Sequence, residues 1–521
     1  MKQSIRRAVQ ISFVLAVVSG RAGFAEPPRS LVVSGFTVAT GSDERDNWTA
    51  TAVEEVLNAR LRRTGALTVV PPIRSFDARR ELTDVDGVSP EWKRVAQALG
   101  AARLISGETN GPAYALTLKL RLIDCTSDAK PSEKALGPAR VNEVLDQATA
   151  FLLEQCGLTT LSESTRALVF KPATESPTAL EYYARAVMAA RVGNWADTAR
   201  YLKQACEYES TFIMAQLALA QVESRTAGGA RVAALRLRQM RLLAKAGEDP
   251  WDAAEVERIE GILLALTGGE QTGAERLENA AALSEKNGDA YGRLLALDTL
   301  ADLEIRRANQ PVDEKGTQPS EQVQTQLLKH AAEVQRRILD LLTPLNDLVT
   351  QASGSNRLAL LYERLGELDK ALQQHQFTLE LARKLGVRQS HATALMFLGQ
   401  FYRHTGRYPE ALETVTQCLD LAAESSKPGI RIALGDIRKA LNDEPAALRE
   451  YEAAFESLKK TDNLPDQFTC LKRLAEARHK LGQKKEAARN LQEAIDVAQV
   501  LKLPELQALR EQLEAWNREK P

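Results

Sequence analysis

The side chains that could do chemistry are few and scattered. The five histidines, His330, His375, His391, His404 and His479, include no pair at i, i+4 spacing, and neither H-E-x-x-H nor C-x-x-C occurs. Metal-ligand spacing is therefore lacking. The nucleophile-elbow pattern G-x-S-x-G is also missing. The loop 39–46, ATGSDERD, stands between a predicted strand and a predicted helix, where a phosphate loop would sit. It has no G-x-G-x-x-G and no Lys-Ser/Thr, and Asp43, Glu44 and Asp46 would repel a phosphate. With 26% charged residues, carboxylate pairs arise by chance and mark no site. The residues imply no enzyme, no cofactor and no metal.

Cysteine is the remaining reactive type. Cys125 and Cys156 are the only two in the first 157 residues, and Cys206, Cys418 and Cys470 are spaced widely beyond them. Cys125 ends a predicted strand, and Cys156 continues the inward row of a predicted helix. A disulfide between them is expected in an oxidising compartment, closing a loop of about thirty residues at roughly 3–4 kcal/mol. The other three read as small core residues.

The compartment follows from residues 1–25. Lys2, Arg6 and Arg7 precede an apolar run at 11–18, and Gly23-Phe24-Ala25 makes a small-x-small cleavage site. An exported protein, periplasmic or secreted, is expected, with no later stretch reaching the ~18 apolar residues of a membrane helix. The formal charge is −1, and the leader holds four cations and no acid. The mildly acidic remainder has no global attraction for nucleic acid.

Two textures divide the rest. Residues 26–157 read as a small α/β domain in the order βαβαββα: a strand at 31–38, a helix at 50–63, a short strand at 67–70 closed by Pro71-Pro72, and a helix between Pro90 and Gly100. Strands at 103–108 and 115–125 flank Asn110-Gly111, a hairpin signal. In the second, Leu116, Leu118, Leu120 and Leu122 alternate with polar residues. A helix then turns Val141, Val144, Leu145, Ala148 and Leu152 inward. With its segments WKRVAQALGAARLISGETN and YALTLKLRLIDC, this domain resembles the TolB amino-terminal-like domain. It departs after Cys125, where those relatives continue into a further strand and this chain has a polar stretch at 126–138.

After a linker at 158–178, residues 179–503 read as paired helices, with a polar insertion near 309–320 and a capping helix at 504–521. The segment ATALMFLGQFYRHTGRYPEALETVTQCL sets Leu398, Gly399 and Tyr402 on one helix against Tyr408, Ala411, Val415 and Cys418 on the next. It resembles the tetratricopeptide repeat, and about eight repeats are expected. Gly366, Gly406, Asn442 and Gly482 mark the turns at intervals of 40, 36 and 40 residues, with Asn442 where the family has glycine. Asn tolerates a left-handed turn. The long period is similar to the variant found in kinesin light chains and bacterial regulators.

The resemblance implies an α-solenoid after the α/β domain, whose groove takes a protein or peptide partner. Carried onto this chain, the groove positions are Asn356, Arg364, Met396, Gln400, Arg403, His404, Lys439, Lys472, His479 and Lys480, with acids at Glu363, Asp436 and Glu476. Their basic excess suits an acidic segment or a carboxyl terminus, which Arg364 and Arg403 would hold in two-pronged hydrogen bonds. A scaffold or adaptor is the function implied, with an extracytoplasmic sensor as the alternative. Arg231, Arg238, Arg241 and Lys245 make a basic stripe on the second helix of repeat two, expected to be a solvated outer face or a contact for anionic lipid or polymer.

Overall fold

A computed structural model describes residues 30–83, 89–226, 229–246, 249–310 and 319–518. The leader at 1–25 and most of the insertion near 309–320 lie outside the described residues. The first region runs β1 (Ser30–Val38), α1 (Thr49–Arg62), β2 (Thr68–Val70), α2 (Pro72–Glu81), α3 (Trp92–Ala98), β3 (Arg103–Asn110), β4 (Leu116–Asp124), β5 (Ser132–Ala139) and α4 (Val141–Gln155). These strands form one sheet in the order β2-β1-β3-β4-β5. β1 pairs in parallel with β2 and β3, and β3, β4 and β5 pair antiparallel.

The central strands are buried on both faces, so successive residues of β1 serve different cores. Leu31 and Val33 join Ile105 and the row Leu116 to Leu122 against α1 and α4. Val32 joins Val70 and Leu104 against Ala78, Val95 and Leu99 on the other side. The same parity corrects the expected disulfide. Cys125 lies in the second core with Val32 and Leu104, while Cys156 packs in the first beside Leu152 and Leu153. No bond joins the two sulfurs, because the sheet separates them.

Two elements depart from the predicted order. Pro71-Pro72 does not end a strand so much as start α2, since a proline in the first turn has its φ already set and no N–H to waste. The stretch 126–138, expected to depart from a further strand, supplies one: β5 pairs along β4 from Ser132 opposite Leu122 to Ala139 opposite Leu116.

A short helix, α5 (Glu163–Phe170), occupies the expected linker. Eight helix pairs follow among the described residues. They are α6 (Pro177–Arg191) with α7 (Trp195–Tyr208), α8 (Ile213–Glu223) with α9 (Gly229–Ala246), α10 (Pro250–Leu266) with α11 (Glu270–Lys286), and α12 (Ala290–Ala308) with α13 (Glu321–Leu342). Then come α14 (Leu348–Arg364) with α15 (Leu368–Leu385), α16 (Arg388–His404) with α17 (Tyr408–Leu421), α18 (Lys427–Ala440) with α19 (Glu444–Leu458), and α20 (Leu464–Lys480) with α21 (Lys484–Leu501). A last helix, α22 (Leu506–Arg518), lays Leu509 on the core of the final pair.

In pairs three, six and seven a glycine admits a large side chain, Leu277, Val415 and Tyr451 in turn. A Cβ on Gly399 would overlap the Val415 side chain, so glycine sets how closely α16 and α17 approach. The turn before α19 keeps its shape without glycine: Asn442 has φ 62°, close to the 75° of Gly406.

The α/β region does not hang beside the solenoid. It lies along the first helices of pairs one to five. Its first core continues into Leu180, Tyr183 and Ala184 of α6. Its second continues into Leu294 and Leu297 of α12, Leu345 and Val349. At Gly100, with φ 70°, the two backbones touch, and any Cβ would overlap the Leu345 carbonyl oxygen.

Candidate functional site

The face made by the first helices divides into a covered part and an open part. In the covered part, three of those helices begin with a buried aspartate. Asp289 Oδ1 accepts from the Gly292 N–H at 3.0 Å, capping α12, while its Oδ2 accepts from Arg62 at 2.6 Å. Asp249 repeats the arrangement at α10. Its Oδ1 accepts from the Trp251 and Asp252 N–H groups, and its Oδ2 accepts from Arg63 Nε at 2.9 Å. Arg63 also reaches Asp252 at 3.0 Å. At α14, Asp347 caps Thr350 at 2.9 Å and accepts from the Tyr291 hydroxyl at 3.1 Å, and Arg74 donates to the Thr350 hydroxyl. One carboxylate oxygen thus satisfies the helix start and the other receives an outside donor, with the helix dipole favouring the negative charge.

A cavity of about 500 Å³ lies at this junction, lined by Glu55, Arg62, Arg63, Trp251, Asp252, Glu255, Arg258 and Asp289 among others. Burial weakens the hydration of these acids. It pushes the Glu54 carboxyl up to about 7, although Arg191 Nη2 sits 2.6 Å from it, and Asp252 up to about 6 despite Arg63. Burial also raises Glu55 and Asp347. Among the described residues no group of three or more His, Cys, Asp or Glu side chains could hold a metal. No described helix is long and apolar enough to cross a membrane.

The open part begins where α2 ends. A cavity of about 410 Å³ lies between 80–83 and helices α14, α15 and α16. Leu82, Val349, Leu385 and Phe397 supply apolar walls, and Ser353, Asn356, Thr378 and Thr393 supply polar ones. Asn356 Oδ1 has no hydrogen-bond donor there. Of the predicted groove residues, only Asn356 lines this cavity.

Arg364 lies further along α14 and the others on the following first helices, and two of the five expected cations are matched by carboxylates. Lys439 donates to Glu476 at 2.9 Å, and Lys480 pairs with Glu444. Arg364 donates to Asn309 at 2.7 Å. Arg403 and His404 are 3.0 Å apart, and the His404 ring is 3.9 Å from Glu363, which also meets His375 at 2.7 Å. His479 stacks on Trp516 with ring centroids 4.1 Å apart, so it braces the last helix. Met396 packs on the core and Gln400 is exposed. Asp436 and Glu476 are engaged by Arg473, at 2.9 and 3.5 Å. Arg364, Arg403 and Lys472 are the predicted cations without a hydrogen-bonded or ion-paired carboxylate among the described residues, and of these Arg364 is held by the Asn309 amide.

The sequence reading missed Arg62, Arg63 and Arg74 and the three aspartates. An Asp before each of α10, α12 and α14 is a legible cap signal, but nothing local names its arginine.

Residues 350–424 match the tetratricopeptide repeat family. Among solved structures, the chain is similar to a signal transduction ATPase with numerous domains and a tetratricopeptide repeat sensor from Pyrococcus horikoshii. The identity is 13% over 74% of this chain and 58% of that one, with a TM-score of 0.45, so the chain spans 58% of that protein's length. It is similar to a tetratricopeptide repeat protein from Parabacteroides merdae at 13% identity, over 66% of this chain and 100% of that one, with a TM-score of 0.31. It is also similar to BtubC from P. vanneervenii at 16% identity, over 44% and 88%, with a TM-score of 0.33. None of the curated proteins matches. The chain is a small α/β region followed by a helical solenoid, of which residues 350–424 match the tetratricopeptide repeat.

Proposed function

We propose that this protein is a non-catalytic, exported scaffold that holds a protein or peptide segment along the first helices of pairs five to eight. One observation carries the reading: the α/β region covers the same face of the earlier pairs and stops at the Asn356 cavity, and beyond it Arg403 and Lys472 have no carboxylate partner among the described residues. The cavity suits one apolar side chain of a bound segment, with Asn356 facing its backbone. Arg403 and Lys472 then meet an acidic stretch or a carboxyl terminus further along. Export rests on the leader-like residues 1–25. The 500 Å³ cavity between the regions favours one other reading, a sensor in which a small polar ligand bridges them.

Affinity purification from the exporting cell separates the two readings. A protein partner that survives washing supports the scaffold, and a co-purifying small molecule supports the sensor. With the partner in hand, Arg403→Glu combined with Lys472→Glu weakens binding by about 1 kcal/mol or more, roughly fivefold in Kd, with unchanged helicity. Unchanged affinity in that folded variant overturns the groove assignment.

A further inference from the structure

The helix α9 carries apolar residues on both its inner and its outer side. Ala233, Leu237, Met240 and Ala244 face inward and are buried. Opposite them, at the line furthest from the core, stand Leu235 and Leu242, 65% and 66% exposed, with Val232 beside them at 48%. Leu235 and Leu242 are seven residues apart, two turns, so they share one outward crest about 10 Å long. An ordinary surface helix places polar residues there.

The charges make the crest directional. From Gly229 to Ala246 there is no acid, and Arg231, Arg236, Arg238 and Arg241 are all cations. Two of these are spent inside the fold: Arg236 is held by Glu223 at 3.0 Å, and Arg241 by Glu257 and Glu260. That corrects the expected stripe, which included Arg241; the Lys245 side chain lies outside the described residues. Arg231 and Arg238 remain exposed, also seven residues apart, in a row alongside the leucines. Neither has an ion pair among the described residues.

We infer that this crest docks on the surface of an anionic lipid bilayer, with α9 lying in the plane of the headgroups. A row of leucines beside a row of arginines on one exposed helix face matches that boundary: the apolar side chains enter the acyl edge and the guanidinium groups grip phosphates. A binding segment of another protein would have to cover a raised line of side chains. A flat surface meets all five residues at once. Three apolar side chains bind a bilayer weakly, so the contact needs anionic headgroups as well.

The test is co-sedimentation of the full chain with phosphatidylcholine vesicles, with and without phosphatidylserine. Binding is expected only to the mixed vesicles and is lost at high salt. Leu235→Ser with Leu242→Ser, and separately Arg231→Glu with Arg238→Glu, each lower the partition by about tenfold. These side chains are exposed, so the circular dichroism of both variants stays that of the parent. Failure to bind mixed vesicles overturns the inference. So does a dimer of the lipid-free protein that the leucine variant dissociates, which assigns the crest to a second copy. Loss of groove binding leaves this result untouched, because α9 contributes nothing to the Asn356 cavity.

Discussion

Pairs three to five and pairs six to eight are built from the same helical hairpin, yet they start their first helices differently. α10, α12 and α14 open on Asp249, Asp289 and Asp347, each at least 92% buried and each facing an arginine of the α/β region. α16 and α18 open on Val387 and Ser426 with no side-chain cap, and α20 opens on Asn463, which caps Asp466 in the open. In the first group the cap doubles as a docking point. In the second the helix start answers only to itself. A repeat can therefore be tied to another region by one added donor, without any change in its own packing.

The largest expected effect comes from removing one of those shared caps. Asp289→Ala strips α12 of its cap and leaves Arg62 facing a half-closed cavity, at a cost of about 3–5 kcal/mol. Asn463→Ala removes only a cap and costs about 1 kcal/mol. Urea unfolding of the two variants measures both, and equal losses would break the distinction. Next is Gly100→Ala, with Gly386→Ala as its control. Both glycines have φ near 70°, but nothing lies within 4 Å of a Cβ at Gly386. The control costs about 1 kcal/mol from backbone strain alone, and Gly100→Ala costs at least twice that, because its methyl meets the Leu345 carbonyl.

A pH series sharpens the comparison further. Burial holds the Glu54 carboxyl at about 7 in the folded protein, above its ordinary 4.5. Between those values the folded state binds more protons than the unfolded state, so stability falls as pH rises through that window. Asp252, raised to about 6, acts in the same direction. Glu54→Gln flattens the decline between pH 5 and 7, read as the change in urea midpoint. A slope unchanged by the substitution would show that Glu54 does not titrate there. The smallest effect belongs to the open part: Arg403→Glu with Lys472→Glu changes stability by less than about 0.5 kcal/mol, since neither side chain has a carboxylate to lose.

Local pattern carried much of this fold. The leucine row of β4, the paired helices after residue 176 and the left-handed turn at Asn442 all follow from period and residue type. β5 escaped because it lies at the sheet edge, where Leu136 is its one buried residue and no alternation develops. The expected disulfide failed on alternation: the row Leu116 to Leu122 faces the first core, so Cys125, out of step with it, turns its sulfur to the other side of the sheet from Cys156. The predicted groove residues lie on first helices, whereas their charge balance was not legible. Lys439 and Lys480 find Glu476 and Glu444 only when neighbouring pairs stack.

The docked α/β region also changes how the chain must be made. A solenoid can fold as it emerges, each pair needing only its neighbour. Here Arg74 meets Thr350, 276 residues later. At a ribosomal rate of about 5–20 residues per second, its docking surface arrives roughly 15–55 s after Arg74 itself is synthesised. Until α12 and then Leu345 and Val349 arrive, the core around Val32 and Leu104 has only the helices α2 and α3 over it. Growing chains that end before residue 290 are therefore expected to bind a holding chaperone more than the finished chain does, which pulldown of stalled chains measures.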